Sequence, residues 1–358
     1  MLDLVPGGRG AAILETILDC TAPGRPTVPY GPFDWLPVGR TELSVMRLGF
    51  GSAPIGGLYS AVKDDSAESV VRHAWDIGVR YFDVAPMYGF GEAEIRLGRV
   101  LSQLPRDEFV LSTKVGRLIR PGDEPGVDPA GNFIGTGPQR ARFDFSRDAI
   151  LRSVEDSLER MGLDRIDILF IHDPDDHWEA AISEAYPALA DLRSQGVVRA
   201  IGAGMNQAQM LTRFVREADI DVLLCAGRYT LLDQIALDEL LPACVERSTS
   251  VVIGGVMNSG LLADPSPTGR FDYEAVSAAW LDRALRLKAV CDRHDVPLRA
   301  AAIQFPLAHP AVVSIAAGVR TPSHLDEYPA FMRLPIPSGL WADLRAEGLI
   351  RDDAPTPA

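Results

Sequence analysis

Basic residues are in short supply: 35 lysines and arginines stand against 49 aspartates and glutamates, a net charge of −14 over 358 residues. Nucleic-acid binding needs a basic face, so this balance argues against such a partner. A phosphorylated cofactor remains open, because it needs only one local cation. Cysteine is scarce too. Cys20, Cys225, Cys244 and Cys291 are the four, none in a CxxC pair, and a chain of this length builds its core without disulfide staples. Free thiols in a cytoplasmic protein are the expectation, and Cys225, inside DVLLCAG, reads as a small core residue. No apolar run approaches the roughly 18 residues of a membrane-spanning helix, so no membrane partner is expected. The opening MLDLVPGGRGAAILETILDC has no basic start and carries Glu15 and Asp19 within its apolar part, which is not the pattern of a signal peptide.

What is present is a rhythm. Residues 1–34 read as an extension, with a short helix in AAILETILDC and a Pro/Gly-rich connector in TAPGRPTVPYGP. Packing, a homo-oligomer contact and disorder are the roles open to it. Residues 35–350 read as one barrel domain. LPVGRTELSVM predicts a hairpin around Gly39-Arg40-Thr41. Eight apolar runs follow: 47–52, 81–85, 108–114, 165–172, 197–203, 221–227, 250–256 and 311–318. They are continuous in Val, Ile, Leu and Phe, as parallel strands buried on both faces must be. Amphipathic stretches of helical length lie between them, several closed by glycine (Gly78, Gly162, Gly196), and Ser146 reads as an N-cap. This alternation predicts an α/β fold, a closed (β/α)₈ TIM barrel with an N-terminal hairpin and a short extension. An open doubly wound sheet is the competing reading, but GFGSAPIGG lacks the glycine spacing of a dinucleotide fingerprint. Residues 115–145 are rich in Gly, Pro and charge. A connection this long after a barrel strand predicts a lid or substrate loop over the mouth.

Four polar residues come where apolar runs end: Asp83 and Tyr88 in YFDVAPMYG, Lys114 in FVLSTKVG, and His172 in IDILFIHDP. The carboxyl ends of barrel strands share one face, so these four are expected together. A phenol titrates near pH 10, and an adjacent ammonium should lower that value. Lys114 suits that role, Asp83 would hold the lysine, and His172 would orient a substrate oxygen. The set suits proton transfer to or from a carbonyl oxygen. In IHDPDDH the clustered His172, Asp173, Asp175, Asp176 and His177 also invite a metal. A polar turn with the aspartates capping a helix is the preferred reading, and no metal is expected.

These motifs closely resemble the signature of the aldo-keto reductases. FDVAPMYGFGEAEIRLGRVL has Gly89, Glu94 and Leu97-Gly98 in place, and STKVG and LFIHDPD match as well. The resemblance runs from about Leu36 to about Tyr328. It implies a (β/α)₈ barrel catalysing NAD(P)-dependent carbonyl–alcohol interconversion, with Asp83, Tyr88, Lys114 and His172 as the catalytic tetrad. IGAGMNQ, AGRYTLLDQ and GGVMNSGLL resemble the sugar-dehydrogenase branch: aldose 1-dehydrogenases, fucose dehydrogenase and pyridoxal 4-dehydrogenase. That branch implies oxidation of a sugar hemiacetal or reduction of an aldehyde or ketone. A nucleotide-sensing regulatory or scaffold subunit is the alternative function.

The same resemblance implies a site for NADP or NAD. AAGVRTPSHLDEY resembles the family's phosphate loop, with Gly318, Arg320, Thr321 and His324 at a helix start and Glu327 toward the adenine. Asn258, Ser259, Gly260 and Leu261 would cover the pyrophosphate, and Asn206 would meet the nicotinamide amide. Three positions depart from the common pattern: Gly204-Met205-Asn206 stands for a Ser-Asn pair, Ala226 for a glutamine and Gly254 for an aromatic. Tyr59, Phe90, Arg117 and Trp178 are the candidates for the substrate wall.

Overall fold

The computed structural model describes residues 31–122 and 131–357, so the helix and most of the connector expected in 1–34 lie outside the described residues. Its strands are β1 (Trp35–Pro37), β2 (Ser44–Met46), β3 (Leu48–Gly51), β4 (Tyr81–Asp83), β5 (Val110–Val115), β6 (Arg117–Pro121) and β7 (Gln139–Phe143), then β8 (Ile168–His172), β9 (Ala200–Met205), β10 (Val222–Ala226), β11 (Ser250–Gly254), β12 (Arg270–Phe271), β13 (Glu274–Ala275) and β14 (Val312–Gly318). β3, β4, β5, β8, β9, β10, β11 and β14 pair in parallel, in that order, and β14 returns to β3 to close the ring. Each falls on one of the eight apolar runs.

The strands are apolar throughout because both their faces are buried. Phe82, Leu111, Leu169, Ile171, Ile201 and Leu223 turn outward and pack with the helices. Tyr81, Val110, Ile168, Phe170, Ala200, Val222 and Leu224 turn inward and fill the barrel. β1 and β2 form the expected hairpin, with Trp35 opposite Met46. Their Leu36, Val38, Leu43 and Val45 join the inward cluster and so plug the end where the strands begin. Residues 31–34 are tied to the same region, since Pro32 O accepts from Leu48 N at 2.9 Å.

The helices follow the amphipathic stretches: Asp64–Asp76, Glu92–Leu101, Arg147–Met161 and Tyr186–Ser194 among them. Ser146 caps the third through Ala149 N, and Gly162 ends it at φ 63°. A π turn, Ala181–Ala185, sits directly ahead of Pro187, whose missing N–H cannot continue a regular ladder.

One connection differs from expectation. Residues 117–143 are not an open loop at their base, because β6 and β7 pair antiparallel from Arg117–Phe143 to Pro121–Gln139. A two-stranded ribbon with little core has a weak strand signal, and Gly and Pro obscure it further. The segment does cross the mouth: Leu58 bridges to Phe133, and Tyr59 N donates to Asn132 O at 2.7 Å.

Candidate active site

Side chains alternate along a strand, so a residue two steps from an inward one is inward too. Tyr81 leads to Asp83, Val110 to Ser112 and Lys114, and Ile168 to Phe170 and His172. Three of the four expected residues therefore arrive on the inner wall at the strands' carboxyl ends. Tyr88 reaches them from the turn after β4, which runs through Gly89 at φ 64°. A Cβ on Gly89 would come within 2.3 Å of Gly56 O, so only glycine lets that turn pack against the loop after β3.

Lys114 is buried, and its three N–H bonds are all used. Two go to Asp83, at 3.0 Å to Oδ1 and 2.8 Å to Oδ2, and one to Val84 O at 2.9 Å. Ser112 Oγ donates to Asp83 Oδ1 at 2.8 Å and meets the Tyr81 hydroxyl at 3.1 Å. Burial pushes the Asp83 carboxyl above its usual range, while Lys114 and Ser112 pull the other way. The ammonium lies 4.7 Å from the centre of the Tyr88 ring, facing the ring. The His172 ring stands edge-on to Tyr88 at 5.9 Å.

The phenol is not the lowered one that the sequence predicts. Burial holds Tyr88 well above 10, and the charges of Asp83 and Asp173 add to that while Arg117 opposes it. Burial is the main reason, and the lysine's protons go to Asp83 and Val84, so the phenolic oxygen gains no hydrogen bond from it. His172 is held well below its ordinary value, first by burial and then by the Arg117 and Lys114 charges. It is therefore neutral, with Nε2 3.4 Å from Asp173 Oδ2 and Nδ1 buried without a partner.

The aspartates after His172 do not cap the following helix. His177 holds the N-cap position with no side-chain cap bond. Asp173 instead takes Arg117 Nη2 at 2.7 Å, and Asp175 accepts from Gln207 at 3.1 Å.

A neutral phenol, a buried lysine–aspartate pair and a neutral imidazole at one mouth can move a proton to or from a carbonyl oxygen. The comparisons agree with that chemistry. Residues 47–346 match the aldo/keto reductase family. The chain belongs to that family. It is 47% identical to D-threo-aldose 1-dehydrogenase of a Pseudomonas species, over 88% of this chain and 96% of the relative. Pyridoxal 4-dehydrogenase of Microbacterium luteolum is 42% identical, over 87% of this chain and 97% of its own length. Among solved structures, the holo form of an aldo-keto reductase from Bacillus halodurans superposes with a TM-score of 0.70 at 25% identity, covering 89% of this chain and 97% of that one. The protein is thus an NAD(P)-dependent oxidoreductase that interconverts a carbonyl and an alcohol.

The mouth of this aldo-keto reductase fits a nicotinamide dinucleotide. Gly204, Ala226 and Gly254 offer nothing larger than a methyl near the ends of β9, β10 and β11, and a Cβ on Gly254 would come within 3.1 Å of Leu224. Asn258 Nδ2 donates to Gly227 O at 3.2 Å and leaves Oδ1 buried and unpaired. Past Gly318, Thr321 accepts from His324 N at 3.3 Å and opens the helix Pro322–Arg333 at the mouth. Such a helix start favours phosphate. Arg320 turns back to Leu58 O and Ser60 Oγ. Glu327 pairs with Arg299.

Other expected residues meet at a second strap. Ser259 Oγ accepts from the Tyr59 hydroxyl at 3.3 Å and from Tyr273 N at 3.4 Å, and Gly260 and Leu261 follow it in the same turn. Asn206 donates to Asp272 at 3.2 Å, and Arg228 joins that carboxylate at 2.6 Å. The tip of the β12–β13 hairpin thereby bridges the ends of β9 and β10. Phe90 packs edge-on to Phe133 at 6.3 Å, and Phe133 faces Tyr88 at 6.2 Å. Trp178 is not at the mouth. Its ring lies 4.8 Å from Phe214, under the Arg213 guanidinium at 3.8 Å, among the outer helices. A tryptophan just past a strand end marks the mouth in sequence, but here the turn carries it outward. Phe133, Asp272 and Tyr273 gave no sequence signal, because they reach the mouth from the tips of long connections.

Proposed function

We propose that this protein oxidises the anomeric hydroxyl of a cyclic sugar to a lactone and reduces aldehydes by the reverse steps. What carries the reading is the meeting of Tyr88, Lys114, Asp83 and His172 at a mouth with bare walls, in a chain nearly half identical to an aldose 1-dehydrogenase along that enzyme's length. A bound nicotinamide supplies the two-electron step, taking or giving hydride at the reacting carbon. Tyr88 moves the proton at the oxygen. The neutral imidazole of His172 holds that oxygen in place. Lys114, fixed by Asp83, faces the Tyr88 ring and favours its anion as the proton leaves. Residues at the ends of β9 to β14 would hold NADP or NAD, with Arg320 as the cation for the adenosine ribose or its phosphate. Cytoplasmic action fits the three described thiols, Cys225, Cys244 and Cys291, which are free and buried.

The test follows nicotinamide absorbance with a panel of aldoses and aldehydes and each nucleotide. Tyr88→Phe should cut turnover by about a thousandfold or more while the nucleotide dissociation constant stays near that of the wild type. Retained turnover would remove Tyr88 from the proton step.

A further inference from the structure

Asp173 is a polar residue at this mouth that the tetrad does not use. It follows His172 at the end of β8 with φ 41°, a left-handed backbone that among side-chain-bearing residues Asp and Asn adopt most readily. Its N–H donates to Gly204 O at 3.1 Å, which pins the turn to β9. The conformation serves no helix cap. This turn leaves the carboxylate partly exposed beside the ends of β8 and β9. Oδ2 is fixed by Arg117 at 2.7 Å, and the side chain is 25% exposed. Oδ1 accepts no hydrogen bond among the described residues. Arg117, brought in on β6 with its guanidinium over the Phe143 ring at 4.7 Å, makes no other hydrogen bond there, and its Nε is buried without a partner. Both charges reach the Tyr88 phenol, Asp173 raising its pKa and Arg117 lowering it.

An unfilled acceptor beside an under-used donor matches two neighbouring hydroxyls: one donates to the carboxylate, and the other accepts from the guanidinium. The ion pair carries no net charge, so it offers a keto acid or a sugar phosphate no free cation to bind. The geometry points to Asp173, held by Arg117, as the residue that reads the hydroxyl next to the reacting carbon of a neutral vicinal-diol substrate. This rests on the lactol reading above and narrows it, because Asp173 sets specificity without entering the proton step.

The test compares wild type with Asp173→Asn, which keeps the shape and accepts this backbone, and with Asp173→Gly, which relieves the strain and guards against misfolding. Each is assayed on an aldose, its 2-deoxy analogue and an aromatic aldehyde without hydroxyls. Both variants should lose about 10- to 100-fold in kcat/KM on the aldose, chiefly through KM. The preference for the aldose over its 2-deoxy analogue should collapse. Aldehyde reduction should fall by clearly less, so that the aldose-to-aldehyde ratio of kcat/KM drops at least about tenfold. Equal losses on aldose and aldehyde would make Asp173 a positioning residue for His172 and overturn the assignment, as would an unchanged preference for the 2-hydroxyl. Wild type that reduces the aldehyde yet oxidises no aldose would sink the lactol reading itself, an outcome visible before any variant is made.

Discussion

Lys114 and Tyr88 are neighbours with different dependencies, and that separates two variants that both destroy activity. Lys114 is a buried cation whose three protons satisfy Asp83 and Val84. Lys114→Met leaves a buried carboxylate unpaired, so it should cost about 3 kcal/mol or more of stability as well as turnover. The Tyr88 hydroxyl carries no such network, and Tyr88→Phe should melt within a degree or two of wild type, roughly 0.5 kcal/mol. Denaturant titration of the two variants checks this, and equal stability losses would contradict it. The pKa of Tyr88 has its own consequence. Burial keeps the phenol protonated, so the resting site is set as an acid. Carbonyl reduction should stay flat through neutral pH. Oxidation needs the phenolate, and its kcat/KM should still be climbing at about pH 9 to 10. A plateau near neutrality would mean that bound nucleotide or substrate lowers this pKa by far more than burial raises it. The meeting of Asp83, Lys114 and His172 was legible in the sequence because each comes at the carboxyl end of a buried strand, with Tyr88 in the turn after one of them. The direction of the phenol's shift was not, since it depends first on how far the folded chain encloses the ring.

Among the elements, the eight barrel strands were legible because burial on both faces leaves unbroken apolar runs. The β6–β7 ribbon was not, because it stands over the mouth with both faces partly wet. Trp178 failed for a related reason: its place in sequence fixes the strand end but not the way the turn leads. Helix–helix packing gives a sharper case. Gly98 sits inside the helix Glu92–Leu101, where alanine would ordinarily be better by about 1 kcal/mol. A Cβ there would lie 2.3 Å from Met161 O and 2.4 Å from Met161 Cα, at the end of the helix Arg147–Met161. Both obstacles are backbone, so no side-chain rotation relieves them. Glu94, on the same helix, is buried between Thr113 at 2.9 Å and Arg160 at 2.6 Å, which resists sliding. Gly98→Ala should therefore destabilise by about 2 kcal/mol, against its helix propensity. Thermal unfolding reads this directly, and a melting point at or above that of wild type would show that the two helices can part freely.

Stability of the whole molecule in acid is a sum of opposed titrations, and one of them can be isolated far from the chemistry. His309 lies in the turn between the helix Leu298–Leu307 and β14, at the end of the barrel opposite the mouth. Its Nδ1 accepts from Ala311 N at 3.2 Å, and its ring stands edge-on to Tyr229 at 5.5 Å. Burial alone pulls it from 6.5 down to about 4, and protonating Nδ1 would break the accepted hydrogen bond. The unfolded chain takes up this proton below pH 6.5 and the folded chain does not. Its share of stability is thus complete above pH 6.5 and lost as pH falls toward 4. Asp173 runs the other way: burial raises it from 3.8 to about 6, so the folded chain takes a proton first and gains stability as pH falls through that window. The wild-type curve alone cannot separate the two, but a difference between proteins can. His309→Asn keeps an acceptor near Ala311 N and does not titrate. Between pH 7 and 4.5 it should lose roughly 2–3 kcal/mol less than wild type, whatever its stability at pH 7. Urea unfolding at the two pH values gives that difference. Parallel losses would mean that His309 is protonated in the folded protein at pH 4.5, with the turn before β14 open to water.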